Sequence, residues 1–465
     1  MALLDTLKGL KMSRRDFMKL GISSAVLLAT LDWRHIIRAF AKSAAPFEIP
    51  IVWFESQDCA GETSSIVQAV DPDLVDMLTG FTSVMGPGTV KLLFHEAIML
   101  EFGEYSLEIL KAAAEGRKLD LLELARESPF GKYYSELVKA GVIPEEHTVV
   151  DFSKGFILVL EGSFPVCSTE PGPRTTCMNR NEALYCYIGE EHGKPVTCTE
   201  WVRRLLSNAL AVVAVGTCAA YGGIRSNKVL EVPPGFKGVL SSATSAVGFF
   251  PDPIRKQPGL VDLLNTAKPF RKFVYSYGRC SVGRECKPAL AVPGCPANGE
   301  AILRTLIAIV LAIKGLLPMP ELDQYWRPKF IFGATVHEQC PRAASYAAGD
   351  FRRSPGDPDY RCLFGVGCKG PIANCPWNKL GWVNGVGGPV RTGGVCVGCT
   401  MPGFSDSFEP FWKPLPAPEP PGVTATGAIS VAAAVGGAVV AYGISKLHEK
   451  RVREIEKEVE ESESK

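Results

Sequence analysis

The sequence predicts an α/β protein built on a mainly parallel sheet, followed by a smaller domain organised around bound cofactors. Short apolar runs near Ile49–Phe54, Val90–Phe94, Phe156–Leu160, Ala211–Val215 and Ala289–Val292 alternate with helical patterns around Trp201–Ala209 and Gly299–Ile313. That alternation is the signature of strands joined by crossover helices. From about Tyr325 the periodicity gives way to Gly, Pro and Cys. Such a stretch cannot fill a large apolar core and is expected to fold around bound metal.

The 465 residues exceed the size at which one core stops growing, and a composition 46% hydrophobic and 21% charged is that of a folded protein, so two packed units with appendages are expected. The formal net charge is +1. Without a basic stripe interleaved with aromatics, nothing supports nucleic-acid binding, and the expected partners are protein and membrane. Fifteen cysteines are many for an intracellular enzyme and too dilute for a disulfide scaffold, which leaves metal binding, disulfides or both.

Both ends of the chain carry addresses. Ser13-Arg14-Arg15-Asp16-Phe17-Met18-Lys19, the apolar run Leu20 to Leu31 and Ala39-Phe40-Ala41 have the layout of a twin-arginine export signal over residues 1–41. This route exports folded proteins and so suits a chain that must receive its cofactor before crossing. At the other end, the proline-rich stretch 413–422 reads as a stiff linker. Residues 423–445 contain no charge and would span about 34 Å as a helix, enough for a bilayer core. Lys446, Lys450, Arg451 and Arg453 follow, placing the tail 446–465 on the cytoplasmic side. The reading is one C-terminal transmembrane helix with the body of the chain on the extracytoplasmic face.

The cysteines fall into constellations. Cys59 follows the first strand, Cys218 lies in Val215-Gly216-Thr217-Cys218, and Cys295 in Val292-Pro293-Gly294-Cys295-Pro296. Open parallel sheets bind ligands beyond the carboxyl ends of their strands, so these three thiols are expected to converge on one cofactor. The second group is denser: His337-x-x-Cys340, Cys362, Cys368, Cys375 and Cys396-x-x-Cys399. Tetrahedral zinc accepts the same donors, but seven ligands divide awkwardly into zinc sites. They divide naturally into a four-ligand cubane on His337, Cys340, Cys362 and Cys368 and a three-thiolate cluster on Cys375, Cys396 and Cys399.

These motifs, in this order, resemble the small subunit of membrane-bound uptake nickel-iron hydrogenases. The matching elements include Val52-Trp53-Phe54 leading to Cys59-Ala60-Gly61, His95-Glu96, Glu161-Gly162, Gly216-Thr217-Cys218, Gly294-Cys295-Pro296, His337-Glu338-Gln339-Cys340, Cys368-Lys369-Gly370-Pro371, Cys375 and Val395-Cys396-Val397-Gly398-Cys399. The resemblance implies a flavodoxin-like N-terminal domain, 46–320, with a proximal 4Fe-4S cluster. It implies a mostly irregular C-terminal domain, 325–412, with a medial 3Fe-4S and a distal 4Fe-4S cluster, His337 ligating the distal one. It further implies a partner large subunit that holds the nickel-iron centre, because this chain lacks the paired C-x-x-C motifs for that centre. Electrons would then pass through three clusters to a membrane cytochrome or quinone-linked acceptor. The alternative is the relay subunit of another membrane oxidoreductase.

One departure stands out. The family has C-x-x-C at the proximal site, whereas here the second position is Glu62. Glu62 as a carboxylate ligand is the favoured reading, a hard donor that shifts the potential and weakens ligation. The others are Cys167 as substitute thiolate, a site with three protein ligands, and Asp58 as a further oxygen donor. Oxygen-tolerant relatives add two thiols here; the aligned positions are Gly61 and Gly223, so no six-cysteine cluster is expected. Cys167, Cys177, Cys186, Cys198, Cys280 and Cys286 remain, an even number that suits disulfides in an exported protein, with the pairing of the first four open among three connectivities.

Overall fold

The computed structural model describes residues 48–415 apart from 80–89, 100–102, 142–147, 167–185, 227–245, 265–267, 277–285, 355 and 358–359. The export signal, the charge-free segment 423–445, the tail, and Cys167, Cys177 and Cys280 lie outside these residues. Among the described residues no helix is long and apolar enough to cross a membrane.

Five strands form the central sheet: β1 (Ile49–Glu55), β2 (Val90–His95), β3 (Phe156–Glu161), β4 (Ala209–Val215) and β5 (Ala289–Val292). All pair in parallel, in the order 2-1-3-4-5. That is the doubly wound order of flavodoxin-like sheets, whose ligand crevice opens at the switch between β1 and β3. β3 and β5 are buried at every position, which is why they read as unbroken apolar runs rather than alternating ones. The expected strands fall within a residue or two of those observed. The helix expected over Trp201–Ala209 instead runs Cys198–Leu205, because Thr197 caps its start by accepting from the Glu200 amide and Ala209 already belongs to β4.

Three further helices position the loops. α1 (Gly61–Val67) follows β1, α2 (Gly216–Tyr221) follows β4, and α3 (Gly299–Ile313) follows β5. Asn298 caps α3, its side chain accepting from the Ala301 amide at 2.9 Å. α3 is buried over most of its length and packs on α1, β4 and β5, so the helix that follows one cysteine loop braces the helix that follows another.

Residues 336–408 gather a second, smaller hydrophobic cluster in which Cys368, Cys375 and Cys396 sit beside Val336, Leu363, Trp377 and Phe404. Its regular structure is limited to single turns such as Leu363–Val366 and Trp377–Leu380. Both clusters lie in one compact unit that runs to Lys413. Two buried arginines tie them together. Arg327 bonds Asp323 at 2.7 Å, the Thr400 carbonyl and Asn374, and Arg255 joins Asp252 at 3.0 Å to Asp406 at 2.8 Å. Asp252 also accepts from the Gly403 amide at 2.8 Å. Removing Arg255 strands a buried carboxylate, so Arg255→Ala is expected to cost about 3 kcal/mol and lower the thermal unfolding midpoint of the purified complex. Lys91→Ala, which breaks a half-exposed pair with Glu48, should change stability by less than about 1 kcal/mol.

Candidate metal centres

Cys59, Cys218 and Cys295 leave the carboxyl ends of β1, β4 and β5 and meet at the sheet edge. Cys218 and Cys295 each feel the charge of Cys59 and of Glu62, and Cys59 feels that of Glu62. The Glu62 carboxyl therefore sits among all three thiols. It is 6% exposed and accepts a hydrogen bond from the Ala297 amide at 3.2 Å, two residues beyond Cys295. Gly216 makes room for it: a Cβ there, at φ 81°, would lie 2.3 Å from Glu62 Oε1. Only glycine is compatible with both the backbone and the carboxyl.

Burial, and after it the nearby Glu161 carboxylate, push the Glu62 pKa well above the usual carboxylate range. Burial also pushes Cys218 up to about 12. Without a cation these groups hold protons, and metal must displace them to bind.

Glu161, at the end of β3, anchors the loop. Its Oε1 accepts from the Glu62 and Thr63 amides at 3.1 and 3.3 Å. Its Oε2 accepts from Thr63 Oγ1 at 2.7 Å and Trp53 Nε1 at 2.9 Å. Thr63 Oγ1 also lies 2.9 Å from Glu55 and 3.2 Å from His95 Nε2. Asp58, the other oxygen donor considered, groups with Glu55 and Glu161. This acid network was legible only as the motif residues His95-Glu96 and Glu161-Gly162; no local spacing indicates that they converge.

His337, Cys340, Cys362 and Cys368 line one small cavity. The His337 ring stands edge-on to Tyr346 with centroids 4.4 Å apart, which fixes its orientation. Cys375, Cys396 and Cys399 line a second cavity of about 540 Å³ that also reaches Cys295. The four line one cavity and the three line the other.

The donor chemistry fits sulfur-rich metal clusters. Cys340 Sγ accepts from the Arg342 amide at 3.3 Å and Cys368 Sγ from the Gly370 amide at 3.4 Å. Cys59, Cys362, Cys375 and Cys396 likewise take the amide two residues on. Amides aimed at sulfur stabilise thiolate and tune bound iron. Gly61 and Gly223 face two of these sulfurs, since a Cβ at Gly61 or Gly223 would lie 3.0 Å from Cys59 Sγ or 2.7 Å from Cys218 Sγ.

Of the other cysteines, Cys186 and Cys198 form a disulfide and Cys286 is also disulfide-bonded. The Cys186–Cys198 bond selects among the connectivities the sequence left open.

Two family models match. One, described as NADH ubiquinone oxidoreductase, 20 Kd subunit, spans residues 59–309; the other, for the C-terminal part of the NiFe/NiFeSe hydrogenase small subunit, spans 332–412. The chain is 28% identical over 452 residues to the F420 non-reducing hydrogenase I small subunit of Methanosarcina mazei, covering 95% of this chain and 94% of that one. It is 27% identical to the periplasmic [NiFeSe] hydrogenase small subunit of Desulfomicrobium baculatum, covering 87% and 99%. Among solved structures, the actinobacterial-type NiFe-hydrogenase from Ralstonia eutropha H16 aligns at 31% identity and TM-score 0.56 over 80% of this chain and 84% of that one. The first match covers a sheet domain that other oxidoreductases share, and the second covers the cysteine-rich remainder that distinguishes hydrogenases. The chain belongs to the small-subunit family of nickel-iron hydrogenases.

Proposed function

We propose that this chain receives electrons from dihydrogen oxidation in a partner large subunit and passes them through three iron-sulfur clusters to an acceptor in the membrane. As a small subunit of the nickel-iron hydrogenase family it is the electron-transfer component, and the catalytic centre resides in the large chain. The proposed ligands are Cys59, Glu62, Cys218 and Cys295 for a proximal 4Fe-4S cluster, and Cys375, Cys396 and Cys399 for a medial 3Fe-4S cluster. His337, Cys340, Cys362 and Cys368 hold a distal 4Fe-4S cluster. Clusters at these sites supply one-electron redox capacity.

The observation that carries this reading is the contiguity of the three donor groups. The Cys295 amide donates to the Cys399 sulfur, and the Cys396 amide donates to the Cys368 sulfur. Thr217 Oγ1, beside Cys218, donates to the Cys399 carbonyl, and the Lys369 amide, beside Cys368, donates to the Cys396 carbonyl at 2.7 Å. Each group thus shares a peptide contact with the next, which suits a relay of closely spaced sites better than separate zinc staples. Cys59 and Cys295 are exposed while Cys375 and Cys396 are buried, which suits a first site lying on the face covered by the large subunit. The proposed location is the extracytoplasmic face of the membrane, reached by the twin-arginine route and held by 423–445. The export motif, the charge-free segment and the basic residues after it support this.

Three measurements test the proposal. The purified complex should contain about eleven irons and about twelve sulfides on this chain, copurify with a nickel subunit and reduce dyes with hydrogen. Zinc without sulfide, or no nickel and no activity, overturns it. Glu62→Ala should alter the electron paramagnetic resonance signature of one cluster only, and Glu62→Cys should lower that cluster's potential, because a soft thiolate donates more electron density to iron than a carboxylate of the same charge. An unchanged spectrum removes Glu62 as a ligand. Replacing Arg14 and Arg15 by lysine should strand the chain in the cytoplasm; unimpaired export refutes the twin-arginine assignment.

A further inference from the structure

Lys369 is 3% exposed, and burying an ammonium is costly unless something compensates it. Its Nζ donates to the carbonyls of Gly367 at 2.7 Å, Phe411 at 3.1 Å and Lys413 at 2.7 Å. Three acceptors match the three donors of a protonated ammonium, whereas a neutral amine has one donor fewer. The geometry is therefore that of a cation. The other deeply buried cations are paired with carboxylates, Arg255 with Asp252 and Arg327 with Asp323. Lys369 forms no ion pair with a carboxylate among the described residues, and the charged groups it feels are the thiols of Cys368 and Cys396. Those two belong to different donor groups, one distal and one medial, and the Lys369 amide is bonded to the Cys396 carbonyl at 2.7 Å.

We propose that Lys369 is a fixed counter-charge shared by the medial and distal cluster sites, raising the reduction potential of both relative to the proximal one. A positive charge in a low-dielectric interior favours the more negative, reduced state of whatever lies beside it. Placed between the second and third sites and away from the first, it makes the outward sites the better electron acceptors. Lys369 is a positioning residue for electrons in the electrostatic sense: it ligates nothing.

The inference rests on the cluster assignment proposed above, and the experiment separates the two. Lys369→Met removes the charge at similar length. Lys369→Gln removes it while keeping amide donors for the carbonyls, and Lys369→Arg keeps it. Each is introduced into the complete heterodimer, and the three cluster potentials are read by redox titration with electron paramagnetic resonance, alongside iron and sulfide analysis. Lys369→Met and Lys369→Gln should each move the medial and distal midpoints to more negative values and leave the proximal one in place, and Lys369→Arg should leave all three near the parent values. A fully loaded Lys369→Gln complex with unmoved medial and distal midpoints overturns the inference. So does a Lys369→Arg complex that shifts as far as Lys369→Met, which would assign the effect to packing. A parent complex without iron and sulfide instead defeats the cluster assignment itself.

Discussion

The cysteine-rich segment is governed by the burial of sulfur. Cys375 and Cys396 lie in the interior with Cys399 partly buried beside them, and burial raises the thiol pKa of the first two. As thiolates they are tolerated only beside a cation. The chain answers with backbone amides turned toward sulfur, with the buried ammonium of Lys369, and with irregular backbone that frees those amides from helix and sheet. A domain built this way has little regular structure because its hydrogen-bond donors are committed elsewhere.

The sheet domain meets the opposite requirement. Its strands are covered on both faces and supply rigidity, and their carboxyl ends deliver Cys59, Cys218 and Cys295 to one edge. Precision at that edge comes from polar groups under α1. The Glu161 carboxylate collects two amides, one hydroxyl and one indole N–H, and thereby fixes the turn that carries Glu62. Glu161 lies close enough to Glu62 to disfavour its ionisation. Bound metal would relieve this by replacing the proton on Glu62 with a cation.

The two halves are joined by buried charge and by peptide contacts rather than by a broad apolar seam alone. Arg255 and Arg327 each span from the sheet domain to the cysteine-rich segment, and Thr217 connects α2 to the Cys399 loop through its hydroxyl. Gly294 donates to the same hydroxyl at 2.9 Å, so one threonine holds loops from β4, β5 and the second cluster of residues. None of these residues is a proposed ligand, yet the spacing between proposed ligand groups depends on them.

The sequence alone determined which thiols and imidazole are candidate donors, their order along the chain and the strands that carry the first of them. These are local properties: an apolar run reads as a strand, and a cysteine two or three residues from a glycine or another cysteine reads as a ligand turn. Only the tertiary structure decided what surrounds the donors. Glu161 reaches Glu62 across 99 residues, Gly216 clears space for a carboxyl from another strand's loop, and Lys369 finds its carbonyls 42 and 44 residues onward. The Cys186–Cys198 pairing is of the same kind. Such contacts arise from packing between distant segments, where burial sets the cost of a charge, and no spacing rule along the chain encodes that cost.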